Sequence, residues 1–222
     1  MCSSWLRTRP CAPHVTTNQS SERRAAESVA RRDKVMAGLM KRTARFHLPR
    51  PSSGHFAALA ESILHQQLAG AAARAIHGRF VALLDGDLSA EAVLAVPPRK
   101  LRAAGLSGSK VAAVRDLAAR VLDGTVPLHI MGRLADEEVI TRLSVVRGIG
   151  RWTAEMFLIF QLRRLDVWPV GDYGVRKGYA LAYGLRKLPT PKRLDAEGER
   201  FRPYRTVAAW YCWQAVRELR AR

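Results

Sequence analysis

The sequence contains little cysteine. Only Cys2, Cys11 and Cys212 occur among its 222 residues, and they stand far apart. A four-cysteine zinc site, a four-cysteine iron–sulfur cluster or a disulfide framework needs more cysteines than this. The scarcity excludes these classes and indicates a reducing, cytosolic-type compartment.

Long apolar runs and acidic residues are also scarce. No stretch approaches the ~18 consecutive apolar residues that a membrane span requires, so we expect no contact with a membrane. The sequence has 37 Lys and Arg residues but only 19 Asp and Glu residues, which gives a net charge of +18. The hydrophobic fraction of 48% is nevertheless that of a globular protein. Such a basic charge on a folded protein predicts an anionic partner, and nucleic acid is the leading candidate.

The two parts of the chain differ in composition. Residues 1–21 are rich in Ser, Thr, Pro and Arg and contain no acidic residue and no apolar period, which predicts a disordered basic arm. Residues 22–222 form the predicted folded domain. No segment of it sustains the apolar and polar alternation of a strand, whereas apolar residues recur at helical spacing. The sequence therefore predicts an all-α fold. One such stripe consists of Phe56, Leu59, Ala60, Ile63 and Leu64.

The most informative region is 135–184, where two apolar helical stripes are joined by the short segment RGIGR. Without Cβ atoms, Gly148 and Gly150 let the backbone approach a ligand closely, and their N–H groups lie at the start of a helix, where an anion is favoured. Arg147 and Arg151 flank them, so we predict a phosphate there. The alternative is an ordinary antiparallel helix hairpin.

Three segments together carry a resemblance to a known family. VRGIGRWTAEMFLIF, SILHQQLAG and FRPYRTVAAWYCW, with a Gly- and Pro-containing stretch that ends at Asp172, resemble the helix-hairpin-helix (HhH-GPD) DNA glycosylases, and more narrowly the 3-methyladenine DNA glycosylase II family. The resemblance covers about residues 25–220 and places the helix-hairpin-helix at about 136–163. It implies the short, all-helical form of the fold: a monomer of two helical subdomains with a cleft between them.

The resemblance also implies a reaction. Such an enzyme flips an alkylated purine, such as 3-methyladenine, out of double-stranded DNA and hydrolyses the N-glycosidic bond, which leaves an abasic site in base excision repair. In bifunctional relatives a lysine two residues after the second hairpin glycine forms a Schiff base with the sugar. Trp152 occupies that position here. We therefore predict a monofunctional glycosylase without lyase activity.

Asp172 is the predicted catalytic residue. It follows Trp152 by 172 − 152 = 20 residues, which resembles the family spacing, and a carboxylate there would stabilise the positive charge that develops on the sugar. Asp172 also directly precedes a helical pattern, so a role as helix N-cap is the simpler alternative and is compatible with catalysis. Asp166 is the rival carboxylate, for which a structural role is favoured.

Further residues are assigned to the flipped base and to DNA. Trp152 and Tyr204 are the predicted pocket aromatics, with core packing as the alternative for Trp152. Gln67, next to Gln66, is a predicted pocket contact, with the base opposite the lesion as the alternative partner of both. Leu68 is either the wedge that fills the emptied stack or one more core leucine. Lys110 begins another predicted helix and would bind a second phosphate, unless it is simply solvated.

Two other functions stay open at this point: a non-catalytic module that binds distorted or abasic DNA, and a glycosylase for oxidised purines. We expect no required cofactor and no metal site, and assign no role to His65 and His77. The resemblance allows one structural monovalent cation on the hairpin carbonyls of Ser144, Val146 and Gly148. The expected location is the cytoplasm, associated with the nucleoid in a bacterium, or the nucleus in a eukaryote.

Overall fold

The computed structural model describes residues 19–68 and 70–221, and these are helical with no strand among them. The predicted all-α class is therefore confirmed. Of the predicted arm, residues 1–18 lie outside the described residues, whereas residues 19–21 already belong to the first helix. That boundary was placed too late because a turn of helix precedes Glu22 and buries Ser21.

Twelve α-helices follow one another along the described chain. They are α1 (Gln19–Arg32), α2 (Lys34–Arg42), α3 (His55–His65), α4 (Gly70–Leu83), α5 (Ala90–Ala95), α6 (Pro98–Ala103), α7 (Gly108–Leu122), α8 (Asp136–Ser144), α9 (Arg151–Met156), α10 (Tyr173–Ala182), α11 (Pro191–Gly198) and α12 (Arg205–Ala221). Short 3₁₀ turns occur at Leu128–Arg133 and Glu199–Phe201, and α9 continues as a π-turn over Phe157–Gln161. None of these helices is long and apolar enough to cross a membrane.

The helices form two packed groups. In one group α1, α2, α10 and α12 pack on one another, and in the other α3 to α7 do so. The hairpin of α8 and α9 contacts the second group where the π-turn meets α3. The predicted apolar stripes face the core that runs through both groups, and the buried members include Leu59, Ile63, Leu64, Val139, Leu143, Ala154 and Leu158.

Side-chain caps begin several helices, among them the one predicted at Asp172. Ser107 caps α7 and Asp172 caps α10, each by accepting the N–H three residues later. The close approach of α10 and α12 depends on Gly178, because a Cβ there would collide with the backbone carbonyl of Cys212. This contact brings the N-terminal end of α10 beside the side chains of α12.

Candidate active site

The hairpin turn has the geometry that its glycines predict. Gly148 has φ +80°, a left-handed conformation that suits glycine, and the side chain of Ile149 is buried beneath the turn. Gly150 then serves as the N-cap of α9 without any side-chain cap. The N–H groups of Gly148 and Gly150 donate to no acceptor within the described chain, so both are available to an external acceptor such as the predicted phosphate.

Asp172 lies at the start of α10 with its carboxylate held by three donors. Oδ1 accepts the N–H of Val175 at 2.7 Å and the indole N–H of Trp213 at 2.8 Å. Oδ2 accepts the indole N–H of Trp152 at 2.7 Å. The residue is only 9% exposed. The helix-cap interpretation of Asp172 is thus confirmed, and its second oxygen accepts from the hairpin tryptophan, whereas its catalytic role stays a prediction.

Trp213 is the site residue that sequence reasoning missed. It lies on α12, and its ring stacks on Phe160 with centroids 5.8 Å apart and planes 25° apart. Trp213 ends the segment FRPYRTVAAWYCW that carries part of the family resemblance, but no local pattern connects it with an aspartate 41 residues earlier. A half-buried indole N–H requires an acceptor, but the sequence shows neither the burial of Trp213 nor which acceptor it meets.

Glu155 is a second buried carboxylate near this site. It lies on α9, is 5% exposed, and accepts a hydrogen bond from Arg151 at 3.2 Å. Burial raises the pKa of Glu155 to about 7; the Arg151 guanidinium acts in the opposite direction, and the negative charges of Glu137 and Asp172 raise the pKa further. Part of the Glu155 population is therefore protonated at neutral pH.

A cavity of about 720 Å³ opens beside the hairpin. Its walls are the segment 49–53, the end of α3 and the face of α9 with its π-turn. Trp152 lines the cavity with its ring and bonds Asp172 with its N–H, and it is 46% exposed, so it is not simply a core residue. Phe160 adds a second aromatic wall. The volume and the apolar walls are those of a small-molecule site.

The turn after α3 also borders the cavity. Gln66 donates from its side-chain amide to the carbonyl of Gly148 at 2.9 Å, which ties this turn to the hairpin. Gln67 lines the cavity and has φ +58°, and Leu68 is 37% exposed. Of the two alternatives for Leu68, the structure agrees with an exposed side chain rather than with a core leucine.

The predicted phosphate contacts are in different environments. Arg147 is exposed, and its side chain bonds no described partner, while its backbone N–H donates to Asp116 at 2.7 Å. Arg151 forms ion pairs with Glu137 and Glu155. Lys110 donates from Nζ to the carbonyl of Leu64 at 2.5 Å, and partial burial lowers the pKa of its ammonium group. One of its three N–H donors is therefore used within the protein.

Tyr204 and Asp166 do not line the cavity. Tyr204 is half-buried against the core just before α12 and is not among the residues that line the cavity. Asp166 accepts hydrogen bonds from Arg202 at 3.0 Å and from the Arg205 side chain at 2.9 Å. These bonds tie it to α12, which agrees with the structural role that the sequence favoured.

Comparison with known proteins identifies relatives of this chain. Residues 60–203 match the model of the HhH-GPD superfamily of base excision DNA repair proteins. DNA-3-methyladenine glycosylase 1 of Schizosaccharomyces pombe is 37% identical over 159 residues, which covers 70% of each chain. The structure of DNA-3-methyladenine glycosidase from Bacillus halodurans matches with a TM-score of 0.82 and 33% identity, over 89% of this chain and 91% of that one. The structure of the S. pombe 3-methyladenine DNA glycosylase in complex with abasic DNA matches with a TM-score of 0.75 and 33% identity, over 86% of this chain and 95% of that one.

The chain belongs to the HhH-GPD superfamily of base excision DNA repair proteins. Its resemblance to the 3-methyladenine DNA glycosylases within that superfamily is confirmed by these relatives.

Proposed function

We propose that this protein is a monofunctional DNA glycosylase that excises alkylated purines from double-stranded DNA. The observation that carries the proposal is the carboxylate of Asp172, which is oriented by two indole N–H groups and one helix N–H. Trp152, one of these two indoles, also lines the aromatic cavity and so connects the carboxylate with it. Relatives named DNA-3-methyladenine glycosylases support the substrate class.

The arrangement suits hydrolysis of a C1′–N bond. As that bond breaks, its electron pair leaves with the base, and positive charge develops on the sugar. The Asp172 carboxylate stabilises that charge, and its three donors hold it in place so that it need not reorganise. Water then adds to C1′ and gives up one proton, for which the carboxylate is a suitable acceptor. The products are the free base and an abasic site.

The aromatic walls suit a flipped and alkylated base. The rings of Trp152 and Phe160 line the cavity and offer π-faces on which a base stacks. An alkylated purine that carries positive charge is attracted to such faces and is also a better leaving group. A permissive pocket would therefore still act faster on damaged bases than on normal ones.

The absence of a suitable amine supports hydrolysis without strand cleavage. No lysine is among the residues that line the cavity in the described chain, and Trp152 stands where bifunctional relatives have the Schiff-base lysine. The same tryptophan disfavours a glycosylase for oxidised purines. We propose that the protein acts on DNA as a monomer. The hairpin N–H groups and Arg147 would contact phosphates of the DNA backbone, and Leu68 would fill the space that the flipped base leaves in the duplex.

A monovalent cation on the hairpin is a second, separate proposal. The donor set fits one, because the carbonyls of Ser144, Val146 and Gly148 are neutral oxygens. The Val146 carbonyl accepts the N–H of Ile149 and the Gly148 carbonyl accepts the amide of Gln66, yet each carbonyl has a second lone pair. Such an ion would add positive charge next to the predicted phosphate.

The test of the proposed function is single-turnover base release from methylated duplex DNA, by the wild type and by Asp172→Asn. We expect Asp172→Asn to keep its helix cap and its DNA affinity but to release purines at least about 10²-fold more slowly. Asp166→Asn, at the rival carboxylate, is the matched control and should retain release. DNA affinities are compared at one stated salt concentration, and the wild-type product should be cleaved only after alkali.

Two outcomes would overturn the proposal. If the wild type binds damaged duplex but releases no base from alkylated or deaminated DNA, the protein is a binding module and Asp172 is a helix cap only. If Asp166→Asn rather than Asp172→Asn abolishes release in a folded protein, the catalytic assignment is wrong.

A further inference from the structure

Three side chains that the proposed reaction does not use form a compact cluster of metal-ligating groups. Glu61 and His65 stand four residues apart on α3, and His77 faces them from α4. One ligand atom from each lies within 4.8 Å of the other two. The two imidazole rings meet edge to face with centroids 5.8 Å apart. Positions four apart share a helix face, so the cluster is built by both helices.

The cluster contains an unsatisfied polar atom. Nε2 of His65 is buried and has no hydrogen-bond partner within the described chain, and the nearest carboxylate oxygen, Oε1 of Glu61, is 4.0 Å away. A buried nitrogen without a partner is uncommon, because burial of an unpaired polar group is unfavourable. The orphaned nitrogen points to a ligand that the protein's own groups do not supply.

We propose that Glu61, His65 and His77 bind one divalent transition-metal ion of the Zn²⁺ class. Two imidazoles and one carboxylate are ligands that Zn²⁺ accepts at about 2.0–2.2 Å, with water in the fourth position of a tetrahedron. Such bond lengths bring ligand atoms within about 3.5 Å of one another, so the observed cluster must contract slightly. The side chains of Glu61 and His65 are 45% and 36% exposed, which leaves room for that adjustment.

An ion at this position would connect two helices on either side of the turn at residues 66–68. It joins the last turn of α3 to α4, and the turn that carries Gln66, Gln67 and Leu68 connects these two helices. Bound metal therefore restrains this turn from both sides. Glu61 and His65 also line the cavity, so the ion would lie at the wall of the proposed base pocket. The relevance to DNA rests on the proposed function, whereas metal binding itself does not.

The test is calorimetric titration of Zn²⁺ into the untagged full chain after removal of metal by a chelator. We expect one ion per chain for the wild type. His77→Ala and Glu61→Gln each remove one ligand and should weaken binding by at least about 10-fold, since even outer-shell changes at metal sites cost that much. The matched control is His129→Ala, which removes an exposed histidine from the 3₁₀ turn outside the cluster. It should bind Zn²⁺ as the wild type does.

A second measurement reports on the turn. Zn²⁺ should slow amide hydrogen exchange at residues 66–68 in the wild type and leave it unchanged in His77→Ala. The proposal is overturned if the wild type binds no Zn²⁺, or if both ligand variants bind it unchanged, which would place the ion on other donors. Base release assayed in the chelator tests the proposed function separately, so either proposal can fail alone.

Discussion

At the scale of single residues, the active site depends on the donors around one carboxylate. Asp172 is nearly buried, and each of its oxygens accepts an indole N–H from a different helix. A hydrogen bond to a charged group contributes about 1.5–3 kcal/mol, more than a bond between neutral groups. Trp152 also forms a wall of the cavity, so its replacement would change two functions at once. Trp213 is the better probe of the hydrogen bond.

We predict that Trp213→Phe lowers the single-turnover rate of base release by between about 10- and 100-fold, which corresponds to one lost hydrogen bond to a carboxylate. The aromatic ring and its stacking on Phe160 are retained, so DNA affinity should not change. The measurement is the rate at saturating enzyme. Trp210→Phe is the matched control, because Trp210 packs on Phe46 and Tyr211 without bonding Asp172. Equal rates for the two variants would contradict a positioning role for Trp213.

The second residue-scale prediction concerns pH. Burial raises the pKa of Glu155 to about 7, above the 4.5 of a free glutamate, so the folded protein binds the extra proton. Binding of this proton adds to the unfolding free energy. Its contribution is full below pH 4.5 and is lost as the pH rises through 7. Glu155→Gln removes the titration. The unfolding free energy of Glu155→Gln minus that of the wild type should therefore be about 2 kcal/mol higher at pH 8 than at pH 5.5. Urea unfolding at both pH values measures the gain, and a constant difference would show that Glu155 does not titrate in this range.

At the scale of elements, the cavity is bordered by two turns that contact each other. The hairpin turn carries the free N–H groups of Gly148 and Gly150, and the turn after α3 carries Gln67 and Leu68. The amide of Gln66 joins the two turns through the Gly148 carbonyl. Leu68 is exposed on this turn beside a residue with left-handed backbone, which is compatible with the proposed contact to DNA.

We predict that Leu68→Ala affects excision and leaves folding nearly unchanged. Because the side chain is 37% exposed, the free energy of unfolding should change by no more than about 0.5 kcal/mol, whereas a core leucine would cost about 2–5 kcal/mol. Base release from duplex DNA should fall by about 10-fold or more, as the variant cannot fill the emptied stack. Leu122→Ala, at an exposed leucine of α7, provides the comparison and should retain wild-type release. A large loss of stability in Leu68→Ala would restore the core interpretation.

Elements are also the scale at which sequence reasoning works best. The stripe at Leu59, Ile63 and Leu64 and the two-glycine turn are local patterns, so both could be predicted. The bond from Trp213 to Asp172 could not, because it requires α10 and α12 to meet at Gly178, and periodicity contains no information on which helices meet. The same limit applies to Lys110. Its position at a helix start is a local feature of the sequence, but its partner, the Leu64 carbonyl, is 46 residues away.

At the scale of the whole molecule, the net charge of +18 sets how the protein meets DNA. Many arginines are engaged within the protein, as Arg151 is with Glu137 and Glu155. Arginines paired in this way still contribute to the positive electrostatic field of the protein, but their guanidinium groups are held by carboxylates and are less available to DNA phosphates. Arg147 differs, because it is exposed beside the free hairpin N–H groups and its side chain bonds no described partner.

The salt dependence of binding separates these two contributions. We predict that the affinity for undamaged duplex DNA falls steeply with salt, and that Arg147→Ala lowers the slope of log K against log salt by about 1, since one phosphate contact is lost. Arg23→Ala removes the same charge from α1, where Arg23 pairs with Glu27, and should leave the slope unchanged. Fluorescence anisotropy at several salt concentrations gives both slopes. Equal slopes for the two variants would mean that the protein binds DNA through its overall field, and that the hairpin is not where it contacts the backbone.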